Sequence, residues 1–293
     1  MSTAQALDPT ALKAAQREQW DKSAAGWNAH APQIRAWLAT ATEAMLDMAA
    51  VGPGSRVLDV AAGSGDQTLD IAQRVGADGY VLATDLSPAI LALAQRNAAS
   101  AGHRNVETQV ADGERLPVEP ASFDAAVCRL GLMFFPDPLQ GLREMHRATR
   151  PGGRACAMVF SRPERNPCVT ILMSTALKHA GLPPRDPFQP GGLLSLGKPG
   201  LADELFRAAG FRDVATTTLD APFRLPTARH YLDFVRTSAS PIQQILGRLD
   251  GSAADAAWTD MEQRLGEFTT SNGWGGPNEL LLTGARRRKP PGT

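Results

Sequence analysis

The stretch Val57-Leu58-Asp59-Val60-Ala61-Ala62-Gly63-Ser64-Gly65 decides the fold, because an apolar, β-branched run passes through an aspartate into a glycine turn. This order is typical of a strand, a turn in which the backbone approaches a ligand, and a following helix. A second acidic residue, Asp85, ends another apolar run twenty residues after Gly65. A carboxylate at that place can accept hydrogen bonds from both hydroxyls of a ribose. The spacing therefore predicts a pocket for a cofactor that contains a nucleoside.

The residues around the glycine turn indicate which nucleoside cofactor the pocket holds. Dinucleotide-binding turns have a third glycine, which packs helix against strand, and they place a pyrophosphate at the helix N-terminus. Here the third glycine is missing, and Asp66 brings negative charge to the place of the pyrophosphate. The turn therefore favours a cofactor without phosphates. S-adenosylmethionine fits, because its ammonium group can meet acidic groups such as Asp59 or Asp66.

Two further strand ends have the same character. Asp85 and Leu86 precede Ser87 and Pro88, a plausible N-cap and first residue of a helix. A third predicted strand ends in Asp112 and Gly113, where a carboxylate can accept from an adenine amino group and a backbone N–H can reach a ring nitrogen. The predicted cofactor-binding residues are Asp59, Ala61, Gly63, Gly65, Asp85, Leu86, Asp112, Gly113 and Arg129.

Five segments between residues 56 and 160 follow one another in a characteristic order: 57–65, 84–87, 111–117, 122–127 and 150–154. Together they resemble the successive motifs of the class I S-adenosylmethionine-dependent methyltransferases. Within that class the chain most resembles the branch that includes the ubiquinone and menaquinone C-methyltransferases. The resemblance implies S-adenosylmethionine as the cofactor and a small molecule as the methyl acceptor.

The chain departs from the family pattern at two places. Ala61 stands where the family's turn has its first glycine, which implies less room beside the methionine part of the cofactor without loss of binding. Met133 and Phe134 stand where the quinone methyltransferases have an Arg-Asn pair thought to help deprotonate the ring. Neither side chain can accept a proton, so this departure weakens the prediction of a quinone acceptor.

The alternation of strand and helix between residues 56 and 160 predicts a parallel sheet with ligands at the carboxyl ends of its strands. With the resemblance, the fold class is α/β: a doubly wound, mostly parallel seven-stranded sheet with a reversed C-terminal strand, plus helical lid and cap insertions. Residues 1–50 are interpreted as an N-terminal helical lid and residues 51–160 as the Rossmann-like cofactor-binding core. Residues 161–293 complete the sheet and carry helical substrate-cap insertions at 161–200 and 226–275.

The sequence leaves the catalytic residue unassigned, because methyl transfer needs little beyond placement of the acceptor in a dry pocket. Arg129, at the end of the fourth predicted strand, can steer an anionic or carbonyl-bearing acceptor, contact the cofactor's carboxylate or form a structural salt bridge. His230 and Tyr231 are candidate acid–base groups in the late insertion. His30 is a fourth candidate, provided that the lid closes over the pocket.

Composition excludes several classes of protein. The 293 residues include thirty acidic and thirty basic ones, so no net charge indicates a nucleic-acid partner. No apolar run is long enough for a membrane span and no signal peptide is recognisable, so we expect a cytoplasmic protein without membrane contact. Three unpaired cysteines without ligand spacing predict no metal site. The sequence leaves a monomer and a homodimer equally open.

Two other functions remain as alternatives. One is an NAD-dependent oxidoreductase, which the missing third glycine and the lack of a Tyr-x-x-x-Lys pair disfavour. The other is a non-catalytic cofactor-binding module on a methyltransferase fold. Nucleic-acid methylation is disfavoured because Phe134-Phe135-Pro136-Asp137 replaces the tetrapeptide that holds a flipped base. For a methyltransferase, the acceptor atom stays open among an aromatic or quinone-like carbon, a phenolic oxygen, an amine and a thiol.

Overall fold

The computed structural model describes residues 9–238 and 240–289. Residues 1–8 of the predicted lid lie outside this part of the chain. Within the described residues, none of the helices has the length and apolar character that a membrane span requires.

A central sheet forms the middle of the molecule. Its strands are β1 (Arg56–Val60), β2 (Tyr80–Asp85), β3 (Val106–Val110), β4 (Phe123–Arg129), β5 (Thr149–Phe160), β6 (Arg212–Asp220) and β10 (Glu279–Arg286). The strand order is β3-β2-β1-β4-β5-β10-β6. Strand β10 runs antiparallel to both of its neighbours, whereas β1 to β5 pair in parallel. The predicted seven-stranded sheet with one reversed C-terminal strand is confirmed.

The helices are α1 (Pro9–Ala29), α2 (Ala31–Met48), α3 (Asp66–Val75), α4 (Pro88–Ser100), α5 (Pro138–Ala148), α6 (Pro167–His179), α7 (Leu201–Ala208), α8 (Ala228–Ser238), α9 (Ser240–Leu246) and α10 (Gly251–Leu265). Helices α2, α3 and α4 pack side by side in one layer, and α5 packs against α7 in another. The inner strands β1 and β4 are almost wholly buried between these layers. This arrangement leaves the carboxyl ends of the strands as the accessible edge for a ligand.

The segment between β6 and β10 differs from the helical insertion that the sequence predicts. It contains α8, α9 and α10, and also a small antiparallel sheet of β7 (Phe223–Leu225), β8 (Thr269–Thr270) and β9 (Gly273–Gly276) in the order β7-β9-β8. Strands of two to four residues are too short to show a period-two pattern, and β9 has three glycines in four residues. Trp274 of β9 is buried in a second apolar core with residues of α6, α8 and α10.

Candidate active site

A cavity of about 220 Å³ opens at the carboxyl ends of β1 to β4. The turns that follow these four strands all contribute to its wall, and α1 covers one side. Of the predicted cofactor residues, those that line it are Ala61, Gly63, Asp85, Leu86, Asp112, Gly113 and Arg129. The topology therefore brings most of the predicted set to one place, because parallel strands end at a common edge of the sheet.

Asp85 joins two of these turns. Its Oδ2 atom accepts a hydrogen bond from the backbone N–H of Gly63 at 3.0 Å, and its Oδ1 atom accepts from the N–H of Ser87 at 2.9 Å. Ser87 in turn caps α4 by accepting from the N–H of Ile90 at 3.1 Å. Burial raises the pKa of Asp85, and the backbone hydrogen bonds oppose this rise. The carboxylate is thus held at the cavity wall with lone pairs left to accept further hydrogen bonds.

The two glycines of the first turn have different roles. Both have a positive φ, 60° at Gly63 and 85° at Gly65, which a side chain rarely adopts. Gly63 lines the cavity. Gly65 does not: a Cβ atom there would lie 2.9 Å from the Cβ of Ala94 on α4. Gly65 therefore permits the close packing of the turn against α4, and its predicted contact with the cofactor stays a prediction.

Ala61 has a positive φ of 56° although it is not a glycine. It lines the cavity together with Gly131, which follows β4. A Cβ atom on Gly131 would lie only 2.4 Å from the Cβ of Ala61. The glycine at 131 therefore provides the room for the methyl group that distinguishes this turn from the family pattern.

Asp59 lies behind the cavity wall and not on it. The residue is fully buried, and its two carboxylate oxygens accept hydrogen bonds from Gln67 Nε2 and Thr68 Oγ1, each at 2.6 Å. Burial raises the pKa of this carboxyl to about 7, against the opposing effect of the two hydrogen bonds. Both oxygens of Asp59 hold the first turn of α3, and its predicted contact with the cofactor stays a prediction.

Asp66 and Arg129 form a buried ion pair in the cavity wall. Their side chains are 5% and 3% exposed, and Arg129 also donates to Thr42 Oγ1 at 2.9 Å. Of the three roles considered for Arg129, the salt bridge is the one that the structure contains. Because Asp66 neutralises its charge, Arg129 offers little net attraction for an anionic acceptor. Since both partners line the cavity, they can face a zwitterionic ligand group.

Asp112 is joined to α1 by a residue that the sequence analysis missed. Lys13 Nζ lies 2.6 Å from Asp112 and 2.5 Å from Glu114. Burial acts to lower the pKa of Lys13, but hydrogen bonds to the two carboxylates outweigh it and raise this pKa. Gly113 also lines the cavity. A side chain would not fit at this position, since a Cβ atom there would lie 2.3 Å from Cζ of Phe135.

Two of the acid–base candidates lie outside the cavity wall. His230 is exposed and bonds Thr227 Oγ1 at 2.9 Å, whereas the next residue, Tyr231, is buried and lines the cavity. Successive residues of a helix point in directions about 100° apart, so α8 cannot present both side chains to the same space. His30 bonds Thr237 Oγ1 at 3.0 Å and does not line the cavity either. The structure therefore brings neither histidine to the cavity wall, and their acid–base role stays a prediction.

The wall opposite the strand ends is apolar and aromatic. It consists of Trp37, Phe160, Val169, Leu172, Met173, Phe223, Tyr231, Phe234, Val235 and Ile242. These residues come from α2, β5, α6, β7, α8 and α9, which are far apart in sequence. Sequence reasoning missed nearly all of them, since an apolar residue in an amphipathic helix has the same pattern whether it faces a core or a cavity. Met133 and Phe134, the departures from the quinone-enzyme pattern, also line the cavity.

Over residues 9–238 and 240–289, no group of three or more His, Cys, Asp or Glu side chains is placed to hold a metal ion. The three cysteines are free and buried.

Comparisons with known proteins relate the chain to a family of methyltransferases. Residues 33–176 match the model of the ubiE/COQ5 methyltransferase family. A ubiquinone/menaquinone biosynthesis C-methyltransferase of Hahella chejuensis is 37% identical over 126 residues, which are 43% of this chain and 50% of that protein. An uncharacterized protein of Mycobacterium tuberculosis is 32% identical over 253 residues, 82% of this chain and 84% of that protein.

The chain belongs to the class I S-adenosylmethionine-dependent methyltransferases. This membership confirms the predicted family, its cofactor and the resemblance to the quinone C-methyltransferase branch. The chain spans about half the length of the quinone-pathway relatives that it matches. Among solved structures, the YcgJ protein of Bacillus subtilis has a TM-score of 0.55 over 85% of this chain and 98% of that chain. At 19% identity, this likeness shows a shared fold alone.

Proposed function

We propose that this protein transfers the methyl group of S-adenosylmethionine to a small, uncharged and largely apolar acceptor. The observation that carries the proposal is the division of one cavity into two unlike halves. The strand ends supply carboxylates, an ion pair and close-approaching backbone, whereas the opposite wall is apolar and aromatic. A polar cofactor and an apolar acceptor would therefore occupy neighbouring parts of the same space.

The polar half suits each part of S-adenosylmethionine. We infer that Asp85 accepts from the ribose hydroxyls and that Asp112 accepts from the adenine amino group, next to the Gly113 backbone. The Asp66–Arg129 pair presents one negative and one positive group, which would complement the ammonium and the carboxylate of the methionine part. The sulfonium methyl group would then point toward the apolar half.

The apolar half supports an uncharged aromatic acceptor. A charged acceptor would lose its hydration there without gaining an ionic partner, because the charged cavity residues belong to the strand ends and the turns after them, to the start of α3 and to α1. Aromatic side chains such as Trp37, Phe223 and Phe234 can pack against a flat ring. This lining favours an aromatic carbon or a phenolic oxygen over an amine as the methylated atom.

The cofactor is tested by calorimetric titration with S-adenosylmethionine, S-adenosylhomocysteine and NAD in parallel. We expect micromolar binding of the first two and none of NAD. Binding of NAD alone would contradict the proposal and support the alternative of an NAD-dependent oxidoreductase.

The acceptor is tested by transfer of a radiolabelled methyl group to a panel of neutral phenols, quinols, thiols and amines. We expect turnover of neutral aromatic compounds. Faster turnover of charged amines would contradict the proposed acceptor class, and tight cofactor binding without any transfer would support a non-catalytic module.

A further inference from the structure

Tyr231 has an unused hydrogen-bonding group in the apolar half of the cavity. The residue is only 6% exposed and lines the cavity from α8. Its hydroxyl has no hydrogen-bond partner among the described residues. Within the same part of the chain, the one fully enclosed polar side-chain atom without a partner is the Ser64 hydroxyl. The Tyr231 hydroxyl is therefore not fully enclosed by protein, and it belongs to a residue that lines the cavity.

The tyrosine ring is held firmly by its neighbours. It stacks on Trp274 with ring centres 5.0 Å apart and contacts Phe223 at 5.5 Å. Trp274 is itself anchored, since its Nε1 donates to the carbonyl oxygen of Leu265 at 2.7 Å. A hydroxyl on a ring held in this way has a fixed position, so it can donate a hydrogen bond to a ligand oxygen with little loss of side-chain freedom.

Asn278, which precedes β10, supplies a second unused polar group in the cavity wall. Its Nδ2 donates to the carbonyl oxygen of Gly276 at 3.2 Å, but its side-chain oxygen has no hydrogen-bond partner among the described residues. Ser238 also lines the cavity, but its hydroxyl already donates to the carbonyl oxygen of Phe234 at 2.5 Å. Tyr231 and Asn278 are therefore the polar groups that this apolar wall offers to a ligand.

The protonation state of Tyr231 fits a donor and not a base. Burial raises the pKa of its phenol well above the usual range, with a smaller contribution from Cys168. The hydroxyl keeps its proton at physiological pH, so it can donate a hydrogen bond but cannot remove a proton from an acceptor.

We propose that Tyr231 donates a hydrogen bond to an oxygen atom of the aromatic acceptor and that Asn278 accepts one from a hydroxyl group of the same molecule. Tyr231 is then a specificity-determining residue, and the acceptor is a neutral hydroxylated aromatic compound. This inference rests on the proposed function, because it assigns the apolar half of the cavity to the methyl acceptor.

The test uses two probes of nearly equal shape, 2-naphthol and 2-methylnaphthalene. The first has a hydroxyl group where the second has a methyl group. Their dissociation constants are measured by ligand-observed NMR, with and without saturating S-adenosylhomocysteine. We expect the wild type to prefer 2-naphthol by about three- to tenfold, the value of one neutral hydrogen bond. Tyr231→Phe keeps the stacked ring but removes the hydroxyl, so it should abolish this preference.

The matched control is Tyr80→Phe, since Tyr80 is the other tyrosine of the chain, bonds Glu107 at 2.8 Å and does not line the cavity. It should retain the wild-type preference. An unchanged preference in Tyr231→Phe, or binding of neither probe to the wild type, would overturn the inference. Failure of S-adenosylhomocysteine to bind while the 2-naphthol preference persists would instead contradict the proposed cofactor and leave the role of Tyr231 supported.

Discussion

At the scale of single residues, Asp85 has two roles: it holds the backbone of the site in place, and it is the proposed contact for the ribose. Its two hydrogen bonds to the backbone at Gly63 and Ser87 hold the first two turns at a constant separation. The same side chain lines the cavity where we place the ribose. Removal of this carboxylate should therefore weaken binding of the cofactor more than binding of the acceptor.

Asp85→Asn should weaken the binding of S-adenosylhomocysteine by roughly 1–3 kcal/mol, because a neutral amide loses charge-assisted contacts to the ribose. Calorimetric titration measures the change. Asp124→Asn is the matched control, since Asp124 also accepts from a backbone N–H, that of Arg56 at 2.7 Å, but lies near the amino end of β4. Equal affinity of Asp85→Asn and the wild type would show that the ribose lies elsewhere.

The Asp66–Arg129 pair makes a residue-scale prediction about stability. Arg129→Met leaves the buried carboxylate of Asp66 without its partner, which should cost about 3–5 kcal/mol of unfolding free energy. The double variant with Asp66→Asn removes both charges and should recover much of this loss. Urea denaturation measures both values.

The control for this pair is Arg207→Met, because Arg207 forms an exposed i,i+4 pair with Asp203 at 2.9 Å. It should change stability by less than about 1 kcal/mol. If Arg129→Met were as stable as Arg207→Met, the buried pair would have no structural role.

At the scale of elements, α1 is the helix that covers one side of the cavity. Lys13 pairs with two carboxylates after β3, Gln16 Nε2 donates to the carbonyl oxygen of Phe134 at 2.6 Å, and Trp20 contacts the Phe134 ring at 5.7 Å. We propose that α1 is the lid over the adenine end of the cavity. Asp112 would then exchange Lys13 for the adenine amino group when the cofactor binds.

Lys13→Met should loosen α1 in the protein without cofactor, because both carboxylates lose their cation. Because the pair is partly exposed, we expect the free energy of local opening of α1 to fall by about 1 kcal/mol. Amide hydrogen exchange in residues 9–29 should then be about fivefold faster. Lys22→Met is the control, since Lys22 lies on the same helix and pairs only with exposed Glu18. Equal exchange rates in the two variants would contradict the role of Lys13 in holding α1.

At the scale of the whole molecule, Asp59 links global stability to pH. Its pKa is about 7 in the folded protein, whereas 3.8 is the ordinary value expected after unfolding. Between these pH values the folded protein binds more protons, so the stabilisation from this group is complete below pH 4 and is lost as the pH rises to about 7. The free energy of unfolding should fall by up to about 1.4 kcal/mol per pH unit in this range, the value for one proton.

Asp59→Asn should remove this slope. We expect the stability of the wild type relative to the variant to fall as the pH rises from 4 to 7, as measured by urea unfolding at several pH values. Asp78→Asn, at an exposed position after α3, should keep the wild-type slope. Parallel pH profiles of wild type and Asp59→Asn would show that the carboxyl is ionised throughout.

The sequence predicted the central sheet well because that sheet arises from local patterns. Strands β1, β2 and β4 are largely apolar runs with an acidic or glycine-containing turn nearby, and the more polar β3 ends at Asp112 and Gly113, so their positions can be recognised without knowledge of their neighbours. The short strands β7 to β9 lack such a pattern. They form because Trp274 and Phe223 pack into a second core built from helices distant in sequence, and so only the folded chain shows them.

For the site, the sequence by itself determined the strand ends, the family with its cofactor, and the position of Asp85 and Asp112 beside those strand ends, because the residues of a turn are adjacent in the sequence. Only the tertiary structure decided the rest. It turned Asp59 toward α3, paired Arg129 with Asp66 and separated His230 from Tyr231 on α8. Which neighbour a side chain meets depends on the packing of elements far apart in the chain, and that packing also created the apolar wall around Tyr231.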